Sequence, residues 1–267
     1  MSGLIAACAA ILALSVVMSM TGRGGGNFYV PVLVACGLPM LRAATTGQCI
    51  LVSTALAAAL VFHKNRIIDW KLALAIDPPT DIMALVGGYC AHLVPGGHLT
   101  LKLVFAGLLV LAGFFMLRQA KHRPFASTRR LGFWRRKFGE HEYVVNLWLA
   151  IPITAATGLV AGMVGISGGS FKIPLMVLAC GVPMRVAVGT SSAMVAATAL
   201  MGLLGHSAAG DFNLAWALPL SVVAVIGGLL GGAFSVKVRP EQLKKVFAYT
   251  TLGAALFMAL NAWFANG

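Results

Sequence analysis

The sequence predicts an all-α integral membrane protein of two inverted repeats, each combining a glycine-broken helix and half-helix hairpin with three further transmembrane helices. Three observations lead there. Of 267 residues, 59% are hydrophobic and 10% charged, whereas soluble domains carry about 25% charged residues. Apolar runs of about 17 to 22 residues recur along the chain, each long enough at 1.5 Å per residue to cross a hydrocarbon core roughly 30 Å thick. The chain also matches itself at an offset of about 143 residues.

The internal match is spread over the whole half. Gly22, Gly25, Gly26, Phe28 and Pro31 recur as Gly165, Gly168, Gly169, Phe171 and Pro174. Cys36-Gly37 and Pro39-Met40 recur as Cys180-Gly181 and Pro183-Met184, and Thr46 as Thr190. Further on, His63 and Asp69 pair with His206 and Asp211, Gly87-Gly88 with Gly227-Gly228, and Lys102-x-Val104-Phe105-Ala106 with Lys244-x-Val246-Phe247-Ala248.

Taken in order, each half begins with an apolar helix, residues 4–20 and 147–163. Ile5-Ala6-Ala7-Cys8 resembles a lipoprotein cleavage site, but the first basic residue is Arg23, so a signal peptide's basic start is missing and 4–20 is expected in the mature protein. A glycine-rich break follows, then a short apolar piece, 28–36 or 171–180. Such a piece is roughly 14 Å long as a helix, about half the membrane, and reads as a half-helix. Helices are then expected near 41–62, 70–92 and 99–118, and near 185–205, 212–235 and 243–264. The domains are a first membrane repeat at 1–119, a basic linker at 120–145 and a second, inverted repeat at 146–267.

The net charge of +13 is concentrated in one place. Arg118, Lys121, Arg123, Arg129, Arg130, Arg135, Arg136 and Lys137 are eight of the twenty basic residues, and so basic a loop belongs in the cytoplasm. With Phe125, Phe133, Trp134 and Phe138 interleaved, it reads as a segment lying on anionic lipids rather than a nucleic-acid arm. If each hairpin returns to its own side, three further crossings invert the second repeat. Lys64, Arg66, Lys71, Arg185, Lys237, Arg239, Lys244 and Lys245 then join the linker inside. Only Arg42 and Lys102 remain outside, with Arg23 and Lys172 at membrane depth. Four spans per half would put Lys237 to Lys245 outside, against the positive-inside rule. The expectation is a bacterial inner-membrane protein with a cytoplasmic linker and both termini periplasmic; a homodimer is left open.

Chemistry is expected at the breaks. Irregular backbone survives at membrane depth only where protein or a cavity serves its polar groups. The breaks are Gly22-Arg23-Gly24-Gly25-Gly26-Asn27 and Gly165-Ile166-Ser167-Gly168-Gly169-Ser170. Each leads into a half-helix N-terminus, so two positive dipole ends converge, as at transporter anion sites. Arg23, Asn27, Ser167 and Ser170 supply side-chain donors, and Thr46, Gln48, Thr190 and Ser191, at the starts of the next helices, could complete the site or act as helix caps. Ser15, Ser19 and Gly22, matched by Gly158, Gly162 and Gly165, also read as small-residue helix contacts.

Gly22 to Pro31, Gly-x-Gly-Gly-Gly-x-x-x-x-Pro, and its counterpart Gly165 to Pro174, with Ser167 for one glycine, resemble the signature of the TauE/SafE sulfite exporter family. The resemblance covers both halves. It implies transport of sulfite, a sulfonate or a related organosulfur anion. Arg23 departs from it, standing where the family commonly has an apolar residue.

Arg23 and Lys172 cost about 2.5 to 3.5 kcal/mol each at a central membrane position, so each needs a partner. Arg23 is the first candidate for the substrate, since its fork fits two sulfonate oxygens; Lys172 contacts substrate, snorkels or pairs with an acid. Asp77 and Asp81 flank Pro78-Pro79-Thr80 in a span that the prolines must kink or open. They are candidates to bind a coupling proton or cation, or to neutralise Arg23 or Lys172. His63 and His206, beside Asp69 and Asp211, read as local hydrogen-bonding residues. No nucleotide-binding motif, metal cluster or cofactor pattern is present, so a secondary transporter is expected rather than an enzyme. The alternatives are an anion channel and a thiol oxidoreductase using Cys36 and Cys180.

Overall fold

The computed structural model describes residues 2–90, 107, 110, 113–114, 131–164, 168–207 and 213–264. In the first half α1 (Ser2–Met20), the half-helix α2 (Gly26–Ala35), α3 (Met40–Lys64), α4 (Trp70–Ile76) and α5 (Pro78–Cys90) follow one another. The second half has α6 (Leu147–Val164), α7 (Gly169–Pro174), widening into a π-turn at Leu175–Ala179, then α8 (Met184–Ser207), α9 (Leu214–Lys237) and α10 (Pro240–Phe264). Among the described residues, α1, α3, α8 and α9 are long and apolar enough to cross a membrane, while α2, α6 and the α7 segment are shorter apolar helices. The helix expected at 99–118 falls mostly outside the described residues, but 107, 110, 113 and 114 are helical.

Local chemistry sets the breaks. The span expected at 70–92 divides at Asp77, because Pro78 and Pro79 have no N–H for the carbonyls one turn earlier. Asp69 caps the start of α4, its Oδ1 accepting from the N–H of Lys71 and of Leu72, each at 3.1 Å. The matching span, α9, runs unbroken through its single Pro219.

Helices from the two halves interleave. α1 and α3 pack on α9, α6 and α8 pack on α5, and α3 and α8 pack on each other. Small residues allow these approaches: a Cβ at Gly227 would stand 2.4 Å from Ser15 Cβ, and one at Gly162 would stand 2.3 Å from Ala84 O. The outer faces carry exposed Leu56, Leu60, Leu85, Leu218, Val222, Ile226 and Phe234, an apolar surface suited to lipid.

The linker contains structure that the charge pattern did not suggest. β1 (Phe133–Phe138) and β2 (His141–Asn146) pair antiparallel, with Phe133 opposite Asn146 and Phe138 opposite His141. Gly139, at φ 58°, opens their two-residue turn. Tyr143 and Val145 of β2 are buried. The rest of the linker expected on lipid, residues 120–130, lies outside the described residues.

Candidate functional site

The two breaks meet at Ser170. Gly22 and Gly24 both take φ 71° and Gly25 takes φ 94°, left-handed backbone that glycine adopts without strain. This turn brings Arg23 and Asn27 inward, and both are buried. Arg23 Nε donates to Ser170 Oγ at 3.1 Å and Asn27 Nδ2 donates to the same oxygen at 3.0 Å. Asn27 and Ser170 are equivalent positions of the two repeats, so the second residues of the two half-helices touch directly.

The Arg23 guanidinium is held on its other side by α10. Nη1 donates to Thr250 Oγ1 at 3.2 Å and to Thr251 Oγ1 at 2.8 Å. Its central carbon lies 5.1 Å from the Phe247 ring centroid, a cation–π contact strengthened by desolvation. Both threonine hydroxyls are themselves oriented by helix carbonyls, Thr250 on Val246 O at 2.7 Å and Thr251 on Phe247 O at 2.6 Å.

Lys172, one turn into the second half-helix region, has a different set of partners from Arg23. Its Nζ donates to Asp77 Oδ1, to Thr198 Oγ1 at 2.7 Å and to Met194 O at 3.4 Å. Thr198 Oγ1 lies 2.7 Å from Asp81 Oδ1. Asp77 is therefore the partner that Lys172 requires, and Asp81 joins the pair through a hydroxyl. A Cβ at Gly168 would stand 3.7 Å from Lys172 Cε and 3.8 Å from Thr80 Cγ2, so this cluster borders the second break.

The remaining candidates divide. Gly24 lies against Leu51 and Val195, and Gly25 lies under the Tyr29 ring, where a Cβ would stand 2.5 Å from the ring carbon Cζ. Gly26 and Gly169 begin the half-helices. Thr46, Gln48 and Ser191 are buried, and Thr46 Oγ1, Gln48 Oε1, Ser191 Oγ and Asn27 Oδ1 have no hydrogen-bond partner among the described residues. Buried polar atoms of this kind ordinarily find one. Thr190 instead accepts from the Asp69 N–H at 3.0 Å, tying α8 to the start of α4. Ser167, with Gly165, lies outside the described residues.

The histidines make local bonds: His63 Nδ1 accepts from Trp70 Nε1 at 3.2 Å, and His206 Nε2 lies 3.0 Å from Gly162 O. Cys36 and Cys180 are free cysteines. Sequence reasoning missed Phe247, Thr250, Thr251 and Thr198. A signal existed for the last, since Thr54 and Thr198 share the repeat offset.

The β-hairpin is fastened to the same framework. Arg136 donates to both oxygens of Asp69, Nε to Oδ2 and Nη2 to Oδ1, each at 2.9 Å, and Tyr143 Oη donates to Oδ2. Burial works to raise the Asp69 carboxyl, but the hydrogen bonds from Arg136, Tyr143 and the Leu72 N–H outweigh it and hold the group below its ordinary value.

The chain is similar to known proteins along most of its length. The family model for "Sulfite exporter TauE/SafE" matches residues 7–258. "Probable membrane transporter protein YunE" of Bacillus subtilis is 26% identical over 237 residues, covering 84% of this chain and 86% of its own. A "Probable membrane transporter protein" of Xylella fastidiosa is 24% identical, covering 92% of this chain and 91% of its own. "Sulfite exporter TauE/SafE family protein 6" of Arabidopsis thaliana is 21% identical, covering 91% of this chain and 76% of its own. No solved structure matches. The apolar spans and the match along nearly the whole chain make this a multi-pass membrane protein, and it belongs to the sulfite exporter TauE/SafE family.

Proposed function

We propose that this protein is a secondary transporter that carries sulfite or a small organosulfur anion across a bacterial inner membrane, binding it where the two glycine breaks meet. The observation that carries the reading is the buried junction at Ser170, which receives Arg23 and Asn27 from the opposite break. A fixed cation thus stands beside the N-terminal ends of two half-helices. Each helix end contributes about 0.3 to 2 kcal/mol toward an anion. Charge-assisted bonds from Arg23 add more in a dry site. Thr46 and Ser191 hydroxyls are further donors within the buried polar set. The substrate class rests on the family's printed description and on the fit of a guanidinium fork to two sulfur-bound oxygens.

The repeats are proposed to be inverted, with the linker cytoplasmic and both termini periplasmic. Sixteen of the twenty basic residues then face the cytoplasm and two face outward. Reciprocal contacts support a two-fold relation between the repeats: α1 packs on the other half's α9, and the matching α6 packs on the first half's α5.

Proteoliposomes preloaded with unlabelled sulfite test the transport reading. Saturable counterflow of radiolabelled sulfite, inhibited by thiosulfate or sulfoacetate, is expected. Flux that rises in proportion to concentration without counterflow makes the protein a channel; no flux of any of the three anions refutes the substrate class.

A further inference from the structure

The two repeats solve the same contact in different ways. Tyr29 and Lys172 are equivalent positions in the half-helices, and each reaches the equivalent threonine of the following helix. Tyr29 Oη lies 3.1 Å from Thr54 Oγ1 and 2.9 Å from Ser15 Oγ. Lys172 Nζ lies 2.7 Å from Thr198 Oγ1 and is ion-paired with Asp77. Burying this position therefore needs no charge, since the first half fills it with a neutral hydroxyl network. In the second half's version the position is an ammonium, and the first half's Asp77 and Asp81 come to it as two carboxylates, one more anion than cation when all are ionised. Unbalanced charge in such surroundings is relieved by taking up a proton.

The cluster also touches the proposed anion site. Lys172 Cε and Thr80 Cγ2 border Gly168, and Lys172 lies two residues beyond Ser170, which holds Arg23 and Asn27. Thr80 Oγ1 is buried without a partner among the described residues.

We propose that Lys172 is a charge switch coupling one proton to each anion, an inference that rests on the anion lying at the glycine breaks. With no anion, Asp77 neutralises the ammonium. When Asp77 takes a proton on its carboxylate, the ion pair opens and the ammonium, keeping its own proton, turns its charge to the anion at the break. One proton enters with one monoanion, so the cluster's total charge is the same loaded and empty. Transport is then proton–anion symport.

Among the described residues, few other charged groups face Asp77. Asp81 stands in the first turn of α5 just after it, Lys172 reaches it from α7, and α8 presents Thr198. The ionisable residues of α8 sit at its ends, Arg185 on Val238 O at 3.0 Å and His206 by Gly162 O. α6 carries no titratable side chain. On α4, Lys71 is exposed at the opposite end, and Arg23 bonds Ser170, Thr250 and Thr251.

Calorimetric binding of thiosulfate and methanesulfonate, whose charges do not change between about pH 5 and 9, tests the switch on the full-length protein. The apparent Kd is expected to rise about tenfold per pH unit once Asp77 is losing its proton, the slope that one linked proton requires. In Asp77→Asn that slope disappears. The double variant Asp77→Asn/Lys172→Gln, which leaves a neutral contact like that of Tyr29, gives pH-independent and weaker binding. A flat wild-type Kd across this range refutes the switch, as does a slope surviving in Asp77→Asn. Failure of the wild type to bind either anion at any pH removes the anion site, and the switch with it.

Discussion

Removing Arg136 tests how the β-hairpin is held. Its guanidinium makes two bonds of 2.9 Å to Asp69, whose side chain is fully buried, while Arg136 itself keeps 19% of its side-chain surface. Breaking a buried pair by deleting one partner costs about 3 to 5 kcal/mol. Here Asp69 retains Tyr143 and the Lys71 and Leu72 amides, and the pair is partly wet, so Arg136→Ala is expected to cost about 2 kcal/mol. That lowers the melting temperature by roughly 4 to 8 °C, followed through Trp134 fluorescence in detergent. Arg136→Lys, which keeps charge but not the fork, should fall between. The pH dependence has a definite sign. Because the folded Asp69 carboxyl is held down, its contribution is present above the unfolded value of about 4 and is lost as pH falls through the lower folded value. The gap between wild type and Asp69→Asn therefore closes in acid. An Arg136→Ala variant melting within about 1 °C of wild type at neutral pH would show that the pair does not secure the hairpin.

Arg23→Ala is expected to weaken anion binding by roughly 2 kcal/mol or more in calorimetric titration, with Arg23→Lys recovering part; wild-type affinity in both moves the substrate elsewhere. Gly25→Ala should destabilise by about 1 to 3 kcal/mol, because its φ of 94° and the Tyr29 ring leave no room for a Cβ. Gly168→Ala, with its nearest neighbours at 3.7 and 3.8 Å, should melt like wild type, so any loss of anion binding there is local; equal melting of the two variants contradicts this contrast. Single cysteines placed near Arg129 should label from the cytoplasm and those near Ser207 and Asn266 from the periplasm, in a background lacking the five native cysteines. Cytoplasmic labelling of the chain ends refutes the inverted arrangement.

Helix boundaries were legible because apolar length and glycine or proline interruptions are local signals. The expected 147–163 is Leu147–Val164 and the expected 185–205 is Met184–Ser207. The short segment after the second break was expected as one half-helix, yet it widens to a π-turn after Pro174, whose missing N–H weakens the helix ladder. The hairpin escaped notice because its strands are only six residues each and lie next to a run of basic residues read as lipid-facing. What stabilises it is burial of Tyr143 and Val145 against distant residues, which no short window reveals.

The sequence by itself determined membrane residence, the two repeats, their glycine breaks and the need of Arg23 and Lys172 for partners, since each follows from local composition or from the high cost of burying charge. Which partners they take was decided only by tertiary structure. Lys172 to Asp77 spans 95 residues and Arg23 to Thr251 spans 228, and either cation had more than one chemically acceptable acceptor. Interleaved helices resolved the choice: the close approach of α5 to α8 sets Asp77 and Thr198 around Lys172, while α10 brings Phe247, Thr250 and Thr251 to Arg23. Thr190 shows the same dependence, being drawn to Asp69 by helix placement although its residue type suited the break equally well.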